Sequence, residues 1–245
     1  MIEATLNIYR EEKVEVATLE AIRENSNAIA LYRQMGYEIT DRLVFHQRHG
    51  AFAQAPFRSD KELFYRAIRG IPADVRDLSF YRNMAPWQTQ WASVRDGESL
   101  VIIDSSGEEA GYAVFKRFFD ESERQVAIAL YQCEVKPERE DADDIACFML
   151  AQVYAPFDLA CRRYTVNLSA SNARVGFAGT RRFHPVRGAG IYGEAYINIT
   201  IALLARVAME SVGRHGRSER LFPPEAGKTG SVSLKHSPLD KDHYD

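Results

Sequence analysis

Apolar residues along the chain recur with two different periods, and the changes of period mark out short helices and strands. Ile2, Ala4, Leu6 and Ile8 are mixed with Glu3, Arg10, Glu11 and Glu12, which suits the end of a helix. Residues 14–22 are rich in β-branched and small side chains and predict a strand. Arg23-Glu24-Asn25-Ser26-Asn27 then gathers helix-starting residues. Ala28, Leu31, Tyr32 and Met35 follow at i, i+3, i+4 and i+7, the spacing of one helix face. Gly36 supplies the left-handed residue that commonly ends such a helix, and residues 37–45 read as a second strand.

Residues 46–60 have no period and read as a connector. A longer unit begins at Asp60. Residues 61–69 and 74–95 read mainly as helix, broken at Pro72 and Pro86. Residues 99–104 and 110–117 predict a hairpin around Ser105-Ser106-Gly107, and residues 125–135 a further strand. A helix over 141–154, a strand over 164–168, a short helix over 172–180 and a last strand over 196–201 complete the pattern. Strands and helices mixed in this order indicate an α/β or α+β fold. Beyond Ser211, Gly, Ser, Pro and charged residues dominate, too little apolar surface to offset the entropy of ordering, so residues 206–245 are expected to be a disordered tail.

The helix-start cluster occurs twice. Ser26-Asn27-Ala28 matches Ser171-Asn172-Ala173, each after a strand and before a short helix, and each helix leads to an aromatic residue, Tyr37 or Phe183. The offset is about one domain length, which suggests a duplication. The second copy has a whole small domain ahead of the shared motif. The first has only 26 residues before Asn27, so its opening strands and helix are missing: either the true start lies upstream of Met1, or a half-domain is joined to a complete one. The expected division is 1–50 as the C-terminal half of a first domain, 51–60 as linker, 61–205 as a second domain and 206–245 as tail.

Composition narrows the function. Of 245 residues, 46% are hydrophobic and 27% charged, with a formal net charge of −3, so no basic field attracts nucleic acid or an anionic membrane. No run approaches the ~20 apolar residues of a bilayer span, and the N-terminus lacks the features of a signal peptide. Cys133, Cys147 and Cys161 form no C-x-x-C pair and read as reduced, buried thiols in a cytoplasmic protein. His46, His49, His184, His215, His236 and His243 show no metal-ligand spacing, so no metal is expected. Gly188-Ala189-Gly190-Ile191-Tyr192-Gly193 fits G-x-G-x-x-G, but a strand follows it rather than a helix, and it reads as a turn. Phe80, Tyr81, Trp87 and Trp91 recur at helical intervals and suit a core or domain-contact face.

Asn27, Ala28, Ala30, Leu31-Tyr32 and Gly36-Tyr37, set between two strands, resemble the C-terminal part of GNAT N-acetyltransferases; the resemblance of residues 60–201 is fainter and rests on element order and the repeat. It implies a GNAT-like mixed central sheet flanked by helices, one half-domain plus one complete domain in tandem. It also implies transfer of acetyl from acetyl-CoA to an amine of a small-molecule or peptide acceptor. In such enzymes the Tyr matching Tyr32 protonates the departing CoA thiolate, and the Asn matching Asn27 hydrogen-bonds the pantetheine arm or an ordered water. The competing reading of Tyr32 is packing on a helix face.

The family's pyrophosphate cradle, Gln/Arg-x-x-Gly-x-Gly/Ala between strand and helix, presents backbone N–H groups to the phosphates. In the first copy it would lie before Met1. In the second, residues 136–144 (KPEREDADD) contain no glycine and five carboxylates. Phe177 stands where the first copy has Tyr32. Glu134, at the end of the preceding strand, resembles a base position but reads more simply as an exposed strand residue. The second copy is therefore expected to be degenerate, a structural partner of the first. A non-catalytic GNAT-fold module is the alternative for the whole chain. A half-domain would expose an apolar sheet face, which predicts pairing with the second copy or with another chain.

Overall fold

A computed structural model of the chain describes residues 2–169, 200–206 and 229–231. Outside these lie Ser171-Asn172-Ala173, Phe177, the helix expected over 172–180, the glycine motif 188–193, the start of the strand expected at 196 and nearly all of the expected tail. The chain divides into two compact units, Met1–Thr40 with Ala202–Asp245, and Asp41–Ile201.

The first unit opens with helix α1 (Ile2–Glu11), then strand β1 (Val16–Ile22), helix α2 (Ser26–Gln34) and strand β2 (Glu38–Val44), which runs on into the second unit. All four follow the sequence pattern. Leu6 and Tyr9 of α1, Ala17 and Ala21 of β1, Ile29 of α2 and Tyr37 are buried. The expected α2 face is shifted: Leu31 is 43% exposed and Ile29 takes the inward place. Two more strands, numbered below as β10 (Thr200–Arg206) and β11 (Thr229–Ser231), complete the sheet; β11 pairs parallel with β1, Val16 opposite Thr229.

In the second unit a two-residue strand β3 (Gln47–Arg48) is followed by irregular chain that nonetheless buries Phe52 and Phe57. Strands β4 (Tyr65–Gly70), β5 (Glu98–Asp104), β6 (Glu109–Phe119) and β7 (Gln125–Val135) form an antiparallel run. Helix α3 (Ala142–Tyr154) follows, then β8 (Arg162–Thr165), parallel to β7, and the short β9 (Leu168–Ser169). The six-stranded order is β3-β8-β7-β6-β5-β4, so the fold is mixed α/β. One sheet face packs on α3 through Leu100, Ile102, Phe115, Ile128 and Leu130 against Ile145, Met149, Leu150 and Val153.

The helices expected over 61–69 and 74–95 are absent. The first region is a 3-10 turn and strand β4, which pairs with β5 along its whole length; cross-strand pairing outweighs the local propensity of a short segment. The second is a strap of 3-10 turns at Pro72–Val75, Trp87–Thr89 and Trp91–Ser93. Proline at 72 and 86 removes backbone donors, and the Gln90 side chain instead donates to the carbonyls of Asn83 and Ala85 at 2.8 and 2.7 Å. The strap covers the second sheet face: Phe80, Tyr81 and Trp91 pack on Val75, Val94, Tyr112 and Val114. Those aromatics are core, as expected, but not helical. The three cysteines are buried and free of disulfides.

Candidate functional site

In the first unit, α2 is held at both ends. Asn25, not Asn27, is the N-cap: its Oδ1 accepts the Ala28 N–H at 3.1 Å. Asn27 therefore stands exposed in the first turn, its side chain released from capping. At the other end Gly36 takes φ +85°, the Gly36 N–H donates to Arg33 O and the Tyr37 N–H to Tyr32 O, both at 3.0 Å. That pair of bonds is a Schellman closure. Tyr32 is half-buried in the last turn, its ring edge-on to Tyr37 at 5.9 Å. Five positions separate Asn27 from Tyr32, which sets their side chains about 140° apart around the axis. The helix carries both residues but does not place them on one face.

Tyr37 is buried, and burial, with smaller contributions from the Tyr9 and Tyr32 phenols nearby, pushes its phenol up to about 12. Burial likewise raises Tyr9. Glu20, on β1, is a residue the sequence reading passed over. Its half-buried carboxyl is pushed up to about 7 by desolvation. The sequence does hold a signal, a single charge in the run Val16-Ala17-Thr18-Leu19-Glu20-Ala21-Ile22. A carboxyl titrating near neutrality can accept a proton from an amine, and a phenol can donate one to a thiolate.

In the second unit, the loop between β7 and α3 occupies residues 136–141, the position at which the GNAT resemblance would put a phosphate cradle and at which the sequence lacks one. Asp141 is the N-cap residue of α3, yet its carboxylate makes no capping bond. It accepts Arg139 Nε and Nη2, both at 2.8 Å, and Tyr65 Oη at 2.8 Å. Arg139 also reaches Asp104 at 2.6 Å. These partners, Arg139 first, hold Asp141 down at about 2. Asp144, in the first turn, accepts the Asp60 N–H at 3.1 Å and Ser59 Oγ at 3.2 Å. Carboxylates and a guanidinium thus fill the start of α3, where a diphosphate would meet like charge.

A second feature was not legible in sequence. The Val166 N–H donates to Leu130 O at 2.8 Å; Asn167 then turns the chain at φ +46°. Beyond that turn β9 pairs with β2, Leu43 opposite Ser169. β9 therefore parts from β7 and joins β2, and Arg82 bridges between β7 and β2. Its guanidinium donates to Asp41 at 3.1 Å and Glu134 at 3.4 Å, while Ser169 Oγ donates to the same Asp41 oxygen. Glu134 is thus a salt-bridged residue with 20% of its side chain exposed, not the exposed strand glutamate expected. Beneath, the Tyr112 hydroxyl accepts the Arg82 N–H at 2.9 Å and donates to Gln132 at 2.7 Å. These residues come from five separate stretches of chain, which no local pattern links. Among the described residues no cluster of three or more metal-ligating side chains occurs, and no helix is long and apolar enough to cross a membrane.

No family model matches the sequence, and neither does any curated protein. Solved structures do resemble the chain. A functionally unknown conserved protein from Staphylococcus epidermidis matches at TM-score 0.48 and 11% identity, covering 84% of this chain and 78% of that one. A GCN5-related N-acetyltransferase from Kribbella flavida matches at TM-score 0.45 and 11% identity, covering 83% and 73%. A tandem GNAT protein from the clavulanic acid biosynthesis pathway matches at TM-score 0.42 and 13% identity, covering 84% and 68%.

Proposed function

We propose that the chain is an N-acyltransferase of GNAT type that moves an acetyl group from acetyl-CoA to a primary amine of a small molecule or peptide. The observation that carries this reading is the Schellman-closed helix α2, which fixes a half-buried Tyr32 in the same unit as a carboxyl, Glu20, titrating near neutrality. In this mechanism Glu20 takes a proton from the acceptor ammonium, so that the amine nitrogen attacks the thioester carbonyl. As the tetrahedral adduct collapses, the carbon–sulfur bond breaks, Tyr32 protonates the departing thiolate, and the second proton shed by the acylated nitrogen restores the Tyr32 phenol. Asn27, exposed at the start of α2, holds the pantetheine arm or an ordered water.

The arrangement we favour is tandem and cytoplasmic, with 1–50 as the C-terminal half of a first domain, 51–60 as linker, 61–205 as a degenerate second domain and 206–245 as a tail that returns one strand, β11, to the first unit's sheet; pairing of two chains fits this picture. The carboxylates at the start of α3 favour a second, non-catalytic role for the Asp41–Ile201 unit, as a structural partner. The test is thiol release from acetyl-CoA in the presence of a panel of primary amines and peptide amino termini. Turnover supports the enzyme reading; no turnover with any acceptor makes the whole chain an interaction module.

A further inference from the structure

The sheet face opposite α3 carries a second constellation, built where the strap of 3-10 turns ends. Two rows of side chains cross the strands there. Lys116 on β6 faces Ala129 on β7, which faces Tyr164 on β8, which faces Gln47 on β3. In the next row Phe118 faces Ala127, which faces Arg162. Registered partners share a face, and Ile128 and Leu130, which alternate with the alanines, point to the α3 core. The middle strand thus contributes only methyl groups. Lys116 and Phe118 form one wall and Tyr164 and Arg162 the other, two strand spacings or about 10 Å apart. Ala129 is fully buried while Ala127 is only half-buried, so the trough is open at the Phe118–Arg162 end.

Its two cations differ. Lys116 is paired with the exposed Asp96. Arg162 has no carboxylate partner among the described residues. Its Nη2 donates to the Gln47 amide oxygen at 2.8 Å, and its guanidinium stacks 4.5 Å from the Tyr164 ring centre and 5.8 Å from Phe45. Its Nε is buried with no acceptor, and a buried donor left unpaired is destabilising. Arg162 and Lys116 both act to lower the Tyr164 phenol against the larger effect of burial, which places both charges beside that ring.

We propose that this trough binds an aryl carboxylate: a flat ring over Ala127, between Phe118 and Arg162, with its carboxylate on the Arg162 guanidinium. A planar guanidinium fork matches a carboxylate, and one uncompensated positive charge suits one negative charge better than the two of a phosphate. The proposal is independent of the acetyl-transfer reading, since it uses none of Glu20, Asn27 or Tyr32.

The experiment is a titration of the full chain with 2-naphthoate, followed by amide shifts in proton–nitrogen spectra. Acetate and 2-naphthalenemethanol serve as charge-only and ring-only controls. Saturable shifts centred on Lys116, Phe118, Ala127 and Arg162 are expected, with each control at least tenfold weaker. Ala127→Leu fills the trough without touching a charge and is expected to weaken binding at least tenfold; Arg162→Gln is expected to do the same and decides the matter should the leucine variant not fold. Absence of saturation, equal binding of the neutral alcohol, or binding by folded Ala127→Leu within twofold of the parent would each overturn the proposal.

Discussion

The backbone N–H of Tyr37 donates to the carbonyl of Tyr32 at 3.0 Å, and the same two residues set their rings edge-on, 5.9 Å apart. The closure of α2 and the orientation of its last side chain are therefore one feature. Tyr32 cannot rotate away from Tyr37 without loss of a ring contact that accompanies the helix stop.

Gly36 makes that stop possible, because φ +85° is a conformation other residues adopt at a cost. A Cβ added there meets nothing within 4 Å, so Gly36→Ala carries backbone strain alone. Its expected cost is about 1–2 kcal/mol of stability, read from urea unfolding. A neutral effect would show that α2 does not end in the left-handed turn.

Asn27 is exposed while Asn25 caps the helix. Asn27→Ala is therefore expected to leave the melting temperature within a degree or two, on the scale of surface changes, and to weaken acetyl-CoA binding by about tenfold, the loss of roughly one hydrogen bond. Calorimetry separates the two effects. Asn25→Ala should do the reverse, with a stability loss of about 1 kcal/mol.

In the proposed mechanism Glu20 couples activity and stability to pH with opposite signs. Folded, its carboxyl titrates near 7; unfolded, near the ordinary 4.5. Between those values the folded state binds more protons, so its contribution to stability is fully present below about 4.5 and is lost as pH rises through about 7. Acyl transfer by a base at this position should rise through the same window. Glu20→Gln is expected to flatten both curves, and a pH–rate profile unchanged by it would remove Glu20 from the mechanism.

The sequence made the local elements plain and left the long-range ones hidden. β7 appears in the structure over the 125–135 expected from its alternation, and the β5–β6 hairpin brackets the turn at Ser105-Ser106-Gly107. The helix expected over 74–95 is a strap of turns because Trp87 and Trp91 keep a helical interval while Pro86 and the Gln90 side-chain bonds dictate turns. Arg82, Asp41 and Glu134 meet where the chain beyond β8 leaves β7 and pairs, as β9, with β2, a consequence of tertiary pairing with no imprint on spacing.

Arg163 is a buried guanidinium satisfied by backbone carbonyls. Its Nε donates to Tyr154 O at 3.0 Å, Nη1 to Gly50 O at 3.0 Å and Nη2 to Leu159 O at 3.2 Å. It thereby ties the chain around Gly50 to the loop after α3. Arg163→Met leaves those carbonyls without donors and is expected to cost roughly 3 kcal/mol or more. Arg163→Lys should recover little, since one ammonium cannot span the fork. Unfolding curves within 1 kcal/mol of the parent would contradict this role.

The most direct measurement is the rate of thiol release from acetyl-CoA, with an accepted primary amine, for the parent chain and for Tyr32→Phe. Because the Tyr32 carbonyl and ring remain, the variant should fold and bind acetyl-CoA as before, while its turnover falls about 100-fold or more. Equal turnover by the two proteins would contradict the assignment of Tyr32 as the proton donor to the thiolate.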